Sequence, residues 1–232
     1  MRQDGQIKKA LYIKKFKKLA SVAVIFLAAF VLWTILVKIV DVKAIGPNGS
    51  SVGFALLNGA FHELTGVHWM LYDITDVMIV LPFAIVFIFG VTGLCQWIKR
   101  KNLLKVDADI IALGIFYIIV LMVYLFFQKV VIDYRPVLIE GELEASYPSS
   151  TTVISICVMT TAIAQFRVRL RGKKYKKALI WIVALIGIFM TVARIISGVH
   201  WITDIMGGAL ISLGLVYAYF AACAKIKSCN IK

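Results

Sequence analysis

The chain has 232 residues, 61% of which are hydrophobic, and its mean hydropathy is +0.90. Soluble globular domains have an apolar content of about 45–50%, so this composition excludes a soluble protein and indicates one that crosses a membrane several times. The net charge of +14 would indicate nucleic-acid binding in a soluble protein, but the positions of the charges argue against that function here.

Six apolar segments are long enough to cross a bilayer as helices, which takes about 17–25 residues. We therefore predict an all-α protein, a polytopic bundle of six membrane helices. No long polar linker divides the chain, so residues 1–232 are expected to form a single domain. The predicted spans are about residues 19–40, 77–97, 107–127, 151–168, 178–196 and 204–224.

Most of the basic residues lie in four segments between or beside these spans. Residues 1–18 hold seven Lys or Arg, residues 98–106 four, residues 167–177 seven and the C-terminal tail three. Six spans place all four segments on one side of the membrane, which the positive-inside bias makes cytoplasmic. We expect cytoplasmic N and C termini, a basic cytoplasmic tail at residues 1–18, and partners that are membrane lipids rather than nucleic acid.

The first outer connection, residues 41–76, is the longest. Its turn-rich start is followed by a weakly amphipathic stretch at residues 52–64, which predicts a short interfacial helix between the first and second spans. Trp69 and Tyr72 are expected to be anchors at the membrane interface. The four cysteines have no CxxC spacing, so neither a disulfide framework nor a metal site is indicated.

A short sequence, Gly-Val-His-Trp, occurs twice, at residues 66–69 and 198–201. Each copy is followed by Ile-Thr-Asp, but a four-residue insertion separates the first copy from that tripeptide. We interpret this repeat as a coincidence.

The third outer connection joins the fifth and sixth spans and contains a histidine and a carboxylate. His200 and Asp204 are four residues apart, so on a helix they share one face and the carboxylate can hold the imidazole. Arg194 precedes them by six residues. An arginine, a histidine and an orienting carboxylate at one membrane end indicate an anionic substrate and make His200 a candidate nucleophile.

Six spans also bring two other segments to this outer face. Lys129 and Arg135 supply cations, and with Arg194 they form a cluster suited to phosphate oxygens. The stretch Pro148-Ser-Ser-Thr-Thr152 opens the fourth span, with hydroxyls at the helix cap and backbone N–H groups that can bind an anion. The sequence therefore predicts a phosphate site at the outer membrane face.

These residues resemble the motifs of the type 2 phosphatidic acid phosphatase superfamily, integral membrane lipid phosphatases related to vanadium haloperoxidases. The family pattern is Lys-x6-Arg-Pro, then Pro-Ser-Gly-His, then Ser-Arg-x5-His-x3-Asp. Arg194, His200 and Asp204 match the third motif, with Ala193 in place of its serine. The resemblance covers about residues 50–225.

The resemblance implies a phosphatase in which His200 becomes phosphorylated and Asp204 orients it. It implies no metal and no cofactor. The substrate would be a lipid phosphate or a polyprenyl diphosphate, bound at the outer face of a bacterial cell membrane. The expected phosphate-binding residues are Lys129, Arg135, Ser149, Ser150 and Arg194.

Two departures from the family pattern bear on the activity. Gln128 occupies the expected lysine position, one residue before Lys129. Thr151 replaces the histidine that protonates the leaving group, and loss of a general acid typically costs about 10²–10⁴-fold. A lipid alkoxide leaves badly without a proton, whereas a phosphomonoester, whose second pKa is about 6, can leave unprotonated. We therefore expect activity on lipid diphosphates, such as undecaprenyl diphosphate, to exceed activity on phosphatidic acid.

Two alternatives stay open at this stage. His62 or His68 could supply the missing proton, although an interfacial role is the simpler interpretation of both. The chain could also be a catalytically impaired lipid-phosphate binder, flippase or partner protein. His200 and Asp204 argue for an enzyme, because binding alone requires neither, and Thr151 argues for the binder. The glutamates at 140, 142 and 144 are expected to form a solvated loop.

Overall fold

The computed structural model describes residues 2–231, which fold into eight α-helices and two short 3-10 helices. The α-helices are α1 Arg2–Ile39, α2 Ala55–Thr65, α3 Trp69–Met78, α4 Val80–Arg100, α5 Ala108–Lys129, α6 Ser150–Arg169, α7 Lys176–Ile196 and α8 Ile202–Cys229.

The predicted all-α bundle of six membrane helices is confirmed, so the protein is a multi-pass membrane protein. The spans are Gly5–Ile39, Trp69–Arg100, Ala108–Lys129, Ser150–Arg169, Lys176–Ile196 and Ile202–Cys229. The second span is longer than predicted because α3 runs almost directly into α4. The acidic residues Asp73 and Asp76 lower the local hydropathy of α3, so the sequence placed the start of this span too late. The short helix predicted between the first two spans is α2.

α6 lies at the centre of the bundle, packed against α4, α5, α7 and α8, while α8 also packs along α1. Small residues permit these close approaches, as is common between membrane helices. A Cβ atom on Gly214 of α8 would come within 2.7 Å of Leu27 on α1. One on Gly187 of α7 would come within 3.1 Å of Met159 on α6.

Ion pairs join α4, α5 and α6 at the end of the bundle where the basic segments lie. Arg169 at the end of α6 pairs with Asp107 at 3.2 Å and with Asp109 at 3.0 Å. Arg100 at the end of α4 pairs with the same Asp107 at 2.9 Å. The start of α6, at the opposite end of the bundle, is where the functional motifs converge.

The connection between α5 and α6, expected to be a polar loop, folds back on itself as a hairpin. Isolated β-bridges join Tyr134 to Ala145 and Ile139 to Glu142. The turn residues Glu140 and Gly141 have φ of 50° and 85°, as in the type I′ turns that favour glycine. Ser146 N donates to Asp133 O at 3.0 Å, and Arg135 N donates to Glu144 O at 3.1 Å. These bonds fix the side chains of the hairpin next to the start of α6.

The two Gly-Val-His-Trp segments, 66–69 and 198–201, contact each other in the fold. The backbone N–H of His68 donates to the carbonyl of Ser197 at 2.9 Å. Gly198 has φ of +68°, and a Cβ atom there would collide with the carbonyl oxygen of Gly66. Both the backbone conformation and the close contact therefore require glycine at 198, and the turn between α2 and α3 is attached to the loop that carries His200.

Candidate active site

A cavity of about 790 Å³ lies among α3, α4, α5, α6, α7 and the α5–α6 hairpin. The polar side chains at one end of it come from five separate parts of the chain. They are Tyr72, Asp76, Gln128, Tyr134, Arg135, Glu144, Ser146, Tyr147, Ser150, Thr151, Arg194 and His200. Most of the predicted site residues are therefore close together in the fold.

The imidazole of His200 is buried, and Ser146 connects it by hydrogen bonds to the carboxylate of Asp204. Nδ1 lies 3.0 Å from Ser146 Oγ, and Ser146 Oγ donates to Asp204 Oδ2 at 2.5 Å. Nδ1 itself is 3.6 Å from Asp204 Oδ2, too far for a direct hydrogen bond. Since the single hydroxyl proton of Ser146 goes to Asp204, Ser146 accepts a hydrogen bond from Nδ1–H. Nε2 is then the unprotonated nitrogen of His200.

Nε2 of His200 is directed toward the predicted phosphate ligands. Arg135 Nη1 lies 3.2 Å from it, and Arg135 Nε pairs with Glu144 at 3.0 Å. Burial, reinforced by the charges of Arg135 and Arg194, holds the pKa of His200 well below its usual value of 6.5. The imidazole is therefore neutral at physiological pH, which is the state that a nucleophile requires.

Asp204 organises the base of the site through its backbone as well as its carboxylate. Its Oδ2 accepts from the N–H of Trp201 at 2.9 Å, which caps α8. Its carbonyl accepts from the N–H of Ser149 at 3.2 Å, which connects α8 to the start of α6. The position of the Asp204 carboxylate and the position of α6 are thus fixed together.

A second buried carboxyl, Asp133, interacts with Asp204. Burial, together with the neighbouring charge of Asp204, raises the pKa of Asp133 well above its usual value. The protonated form of Asp133 is therefore favoured beside the carboxylate of Asp204.

Arg194 forms the other side of the polar end and is only 2% exposed. Its Nη2 donates to Thr151 Oγ1 at 2.9 Å and to Asp76 Oδ1 at 3.3 Å. Its Cζ atom lies 4.7 Å from the centroid of the Tyr72 ring, a cation–π contact. A guanidinium held in this way presents a fixed positive charge to the cavity.

The start of α6 contributes backbone donors as well as side chains. Ser150 and Thr151 line the cavity and occupy the first turn of α6, where N–H groups lack intrahelical partners. The hydroxyl cap expected of Ser149 is not formed, because its Oγ accepts from Thr152 Oγ1 at 3.1 Å. Ser149 is fully buried behind the cavity.

The structure brings two of the three predicted cations, Arg135 and Arg194, to the cavity. Lys129 lies exposed at the end of α5, outside the cavity, while Gln128 lines it. The reason is that α5 continues through Lys129, and successive residues of a helix point about 100° apart. The position that faces the cavity, Gln128, is the one at which the family pattern has its lysine.

The two histidines considered as alternative acids lie outside the cavity. His68 Nε2 bonds to the carbonyl of Thr65 at 2.8 Å. The ring of His62 packs against Trp201 with centroids 5.6 Å apart, and burial lowers the pKa of His62. Neither is positioned to replace the histidine that the family pattern has at position 151.

Sequence reasoning missed four residues of the site: Tyr72, Asp76, Glu144 and Ser146. Asp76 could have been noticed as a carboxylate within an apolar segment, which usually marks function. Glu144 pairs with Arg135, although a solvated loop was expected, and Tyr72 lines the cavity, although an interfacial anchor was expected. Nothing in the sequence distinguishes Ser146 from its serine neighbours.

Away from the arginines, the cavity becomes an apolar groove between α4, α5 and α6. Phe83, Val120, Ile154 and Val158 are among its walls, and Tyr117 lies toward its far end. The groove follows α5 over about 11 residues, or about 16 Å at 1.5 Å per residue. This shape accommodates a hydrocarbon chain whose charged end lies at the arginines.

Within residues 2–231, the structure has no group of three or more His, Cys, Asp or Glu residues arranged to hold a metal ion.

The chain is similar to known proteins in sequence and in fold. The sequence model of the PAP2 superfamily matches residues 83–227. The fold is similar to the crystal structure of a transmembrane PAP2 type phosphatidylglycerolphosphate phosphatase from Bacillus subtilis, with a TM-score of 0.59. The two chains are 18% identical, and the match covers 89% of this chain and 96% of the other. At this identity the match shows a similar fold. No curated protein matches the chain significantly.

Proposed function

The chain belongs to the PAP2 superfamily, and on this basis we propose that it is a membrane lipid phosphatase that forms a phosphohistidine at His200. The observation that carries the proposal is the orientation of the imidazole. Ser146 and Asp204 hold the Nδ1–H side, so the unprotonated Nε2 faces a cavity that two arginines line. A protein that only binds phosphate has no need for this arrangement.

The terminal phosphate of the substrate would bind between Arg135 and Arg194. Arg135 Nη1 lies 3.2 Å from Nε2 of His200. When substrate binds, Nη1 would donate its hydrogen bond to a phosphate oxygen instead. Ser150, with the free N–H groups at the start of α6, would bind another oxygen. Nε2 then attacks phosphorus, and the imidazolium that forms is stabilised through Ser146 by the carboxylate of Asp204. Water attacks the phosphohistidine in the second step and releases phosphate.

The apolar groove supports a lipid substrate. Its walls on α4, α5 and α6 are mainly apolar side chains, and it meets the charged end of the cavity at His200. Among lipid phosphates we propose that diphosphates, such as undecaprenyl diphosphate, react faster than phosphatidic acid. Thr151 supplies no acidic proton, and the leaving group of a diphosphate needs none at neutral pH.

We further propose that the active site faces the outside of the cell membrane. The site lies at the end of the bundle opposite the ion pairs of Arg100 and Arg169, near which the basic segments lie. The positive-inside bias assigns that basic end, with both termini, to the cytoplasm.

The test is phosphate release by the purified protein from a panel of lipid phosphates and diphosphates. We expect turnover in the wild type, a loss of at least about 10³-fold in His200→Ala, and wild-type activity in His68→Ala. Brief reaction with a labelled diphosphate should leave label on the protein that is lost in acid and absent in His200→Ala.

If no substrate shows turnover that depends on His200, the lipid-phosphate binder is the better interpretation. Thr151 is the observation that favours it, since its hydroxyl accepts from Arg194 where the family has a proton donor. Equal or faster hydrolysis of phosphatidic acid would contradict the proposed substrate preference but not the phosphohistidine.

A further inference from the structure

Hydrolysis of a phosphomonoester lipid at this site requires a proton for the leaving oxygen. Its leaving group is an alkoxide, which is a poor leaving group unless it is protonated as the P–O bond breaks. The hydroxyl of Thr151 accepts a hydrogen bond from Arg194 at 2.9 Å, and an aliphatic hydroxyl is too weak an acid to replace histidine. The donor must therefore be another side chain of the cavity.

Tyr72 is a phenol at the polar end of the cavity, and it contacts Arg194. Tyr134 and Tyr147 of the hairpin also line the cavity, but the hydroxyl of Tyr147 bonds to Thr34 Oγ1 on α1 at 2.7 Å, and Tyr134 adjoins Arg135, on the same side as His200. Ser146, Ser150 and Thr151 carry aliphatic hydroxyls, whereas an ordinary phenol has a pKa of about 10. A phenol still holds its proton at neutral pH, and phenolate is much less basic than an alkoxide. Proton transfer from tyrosine to the leaving oxygen is therefore downhill.

The position of Tyr72 places it beside the residue that it would replace. Arg194 lies over the Tyr72 ring, with Cζ 4.7 Å from the centroid, and its Nη2 donates to Thr151 at 2.9 Å. Tyr72 and Thr151 thus contact the same guanidinium from α3 and α6. His200 approaches the phosphate from the hairpin and α8 side, next to Arg135 rather than Arg194.

Two cations and two carboxylates surround the phenol of Tyr72. Tyr72 interacts electrostatically with Asp76 on its own helix, with Arg135 and Glu144 on the hairpin, and with Arg194 on α7. Both carboxylates are paired, Asp76 with Arg194 and Glu144 with Arg135. A phosphate that binds the two arginines would lie within this group of charges, and the arginines would stabilise the phenolate formed.

We propose that Tyr72 is a catalytic residue, the proton donor that allows this site to hydrolyse phosphomonoester lipids as well as diphosphates. The inference rests on the proposed phosphohistidine mechanism. As the bond from His200 Nε2 to phosphorus forms and the P–O bond breaks, the phenol proton passes to the leaving oxygen. In the second step water attacks phosphorus, its proton returns to the Tyr72 phenolate, and the N–P bond breaks.

This role has a consequence for the order of substrates. A phenol is a weaker acid than an imidazolium, so the acceleration that it gives is smaller. Diphosphates, whose leaving phosphate needs no proton, remain the faster substrates, and hydrolysis of monoesters depends on Tyr72.

Tyr72→Phe tests the proposal because phenylalanine keeps the ring under Arg194 and removes only the hydroxyl. The substrates are phosphatidic acid, a polyprenyl diphosphate, and p-nitrophenyl phosphate, whose leaving group is already stable as an anion. We expect hydrolysis of phosphatidic acid to fall by about 10²-fold or more, and that of the other two substrates by less than about 3-fold. The alkaline decline of kcat on phosphatidic acid should disappear. The matched control is Tyr217→Phe, which removes a hydroxyl from the tyrosine stacked on Phe26.

Two further variants separate this role from a structural one. Introduction of the family histidine, as Thr151→His in the Tyr72→Phe protein, should restore hydrolysis of phosphatidic acid without changing that of the diphosphate. An equal loss on all three substrates in Tyr72→Phe, or no loss on any, would overturn the proposal. A loss confined to phosphatidic acid in Asp76→Asn instead of Tyr72→Phe would assign the donor to Asp76. The phosphohistidine is tested separately, because His200→Ala should lose activity on every substrate.

Discussion

The hydroxyl of Ser146 lies 3.0 Å from Nδ1 of His200 and occupies the place where a carboxylate would bond directly to the imidazole. Ser146 comes from the hairpin, whereas His200 and Asp204 flank the start of α8. The hairpin therefore determines the tautomer of His200, although it belongs to a different part of the chain.

Replacement of Ser146 by alanine should lower kcat on a lipid diphosphate by about 10²-fold, since a histidine in the wrong tautomer can cost up to about 10⁴-fold. KM should change little, because Ser146 contacts His200 and Asp204 rather than the arginines. Ser146→Thr, which keeps the hydroxyl, should retain most of the activity. The control is Ser155→Ala, which removes a bond to Gly187 far from the site. Unchanged kcat in Ser146→Ala would refute the bridging role.

The imidazole of His200 should remain neutral in mildly acidic solution. Its pKa is lowered from 6.5 by burial and by Arg135 and Arg194, so the folded state takes up this proton only well below pH 6.5. The unfolded chain takes it up near pH 6.5, so this group makes folding less stable as pH falls through that range. Nitrogen NMR of histidine-labelled protein, assigned with His200→Gln, should show a protonated Nδ1 and a bare Nε2 at pH 6. Protonation of His200 at its ordinary pKa would contradict this.

Asp133→Asn should stabilise the protein at pH 8 more than at pH 5. The pKa of Asp133 is raised above 3.8, so the folded state holds a proton that the unfolded state has released. Stability therefore falls as pH rises from about 4 toward the folded-state pKa, and asparagine removes that dependence. Thermal unfolding in detergent should show a gain of about 2 °C or more at pH 8. A difference between the two proteins that is the same at both pH values would show that Asp133 is ionised in the fold.

Gly198→Ala should destabilise the protein and reduce its activity. The φ of +68° is unfavourable for alanine by about 1–2 kcal/mol, and the new Cβ atom would also collide with the carbonyl of Gly66. We expect the Tm to fall by about 4 °C or more, with loss of kcat because His200 follows two residues later. Gly114→Ala is the control: this glycine lies within α5 with open space around it, and alanine there should be neutral or slightly stabilising. A Gly198→Ala protein as stable as the wild type would contradict the contact.

Gln128→Ala should weaken diphosphate hydrolysis more than Lys129→Ala. Gln128 lines the cavity and can donate a hydrogen bond to the phosphate, a contact worth about 1–1.5 kcal/mol or roughly a tenfold change in kcat/KM. Lys129 is exposed outside the cavity, and its removal should change kcat/KM by less than about 3-fold. A larger effect of Lys129→Ala would show that its flexible chain reaches the substrate.

The sequence was sufficient to predict the six membrane helices and the convergence of Arg135, Thr151, Arg194 and His200 on one cavity. Hydrophobic length defines a membrane helix, and the number of spans decides which connections share a face of the membrane. The i, i+4 spacing of His200 and Asp204 also predicted that their side chains lie close together. It did not predict that the hydroxyl of Ser146 lies between their polar atoms.

The sequence could not predict which side of α5 faces the site, and it therefore favoured Lys129 over Gln128. It also could not predict the hairpin. The backbone hydrogen bonds of the hairpin, such as Ser146 N to Asp133 O, join residues far apart in sequence, and no periodic pattern of side chains marks them. Tyr72 was missed for a related reason. A tyrosine near the end of a span is usually interfacial. Tyr72 faces the cavity because α3 is held there by the contact between the α2–α3 turn and the loop before His200 and by the ion pair of Asp76 with Arg194.

Both arginines of the site already have carboxylate partners within the chain, Asp76 for Arg194 and Glu144 for Arg135. An incoming phosphate exchanges one anion for another instead of filling an unbalanced positive site. The same competition acts on inorganic phosphate once the lipid has departed. In the proposed reaction the two carboxylates would favour release of the product, and inhibition by inorganic phosphate would be weak.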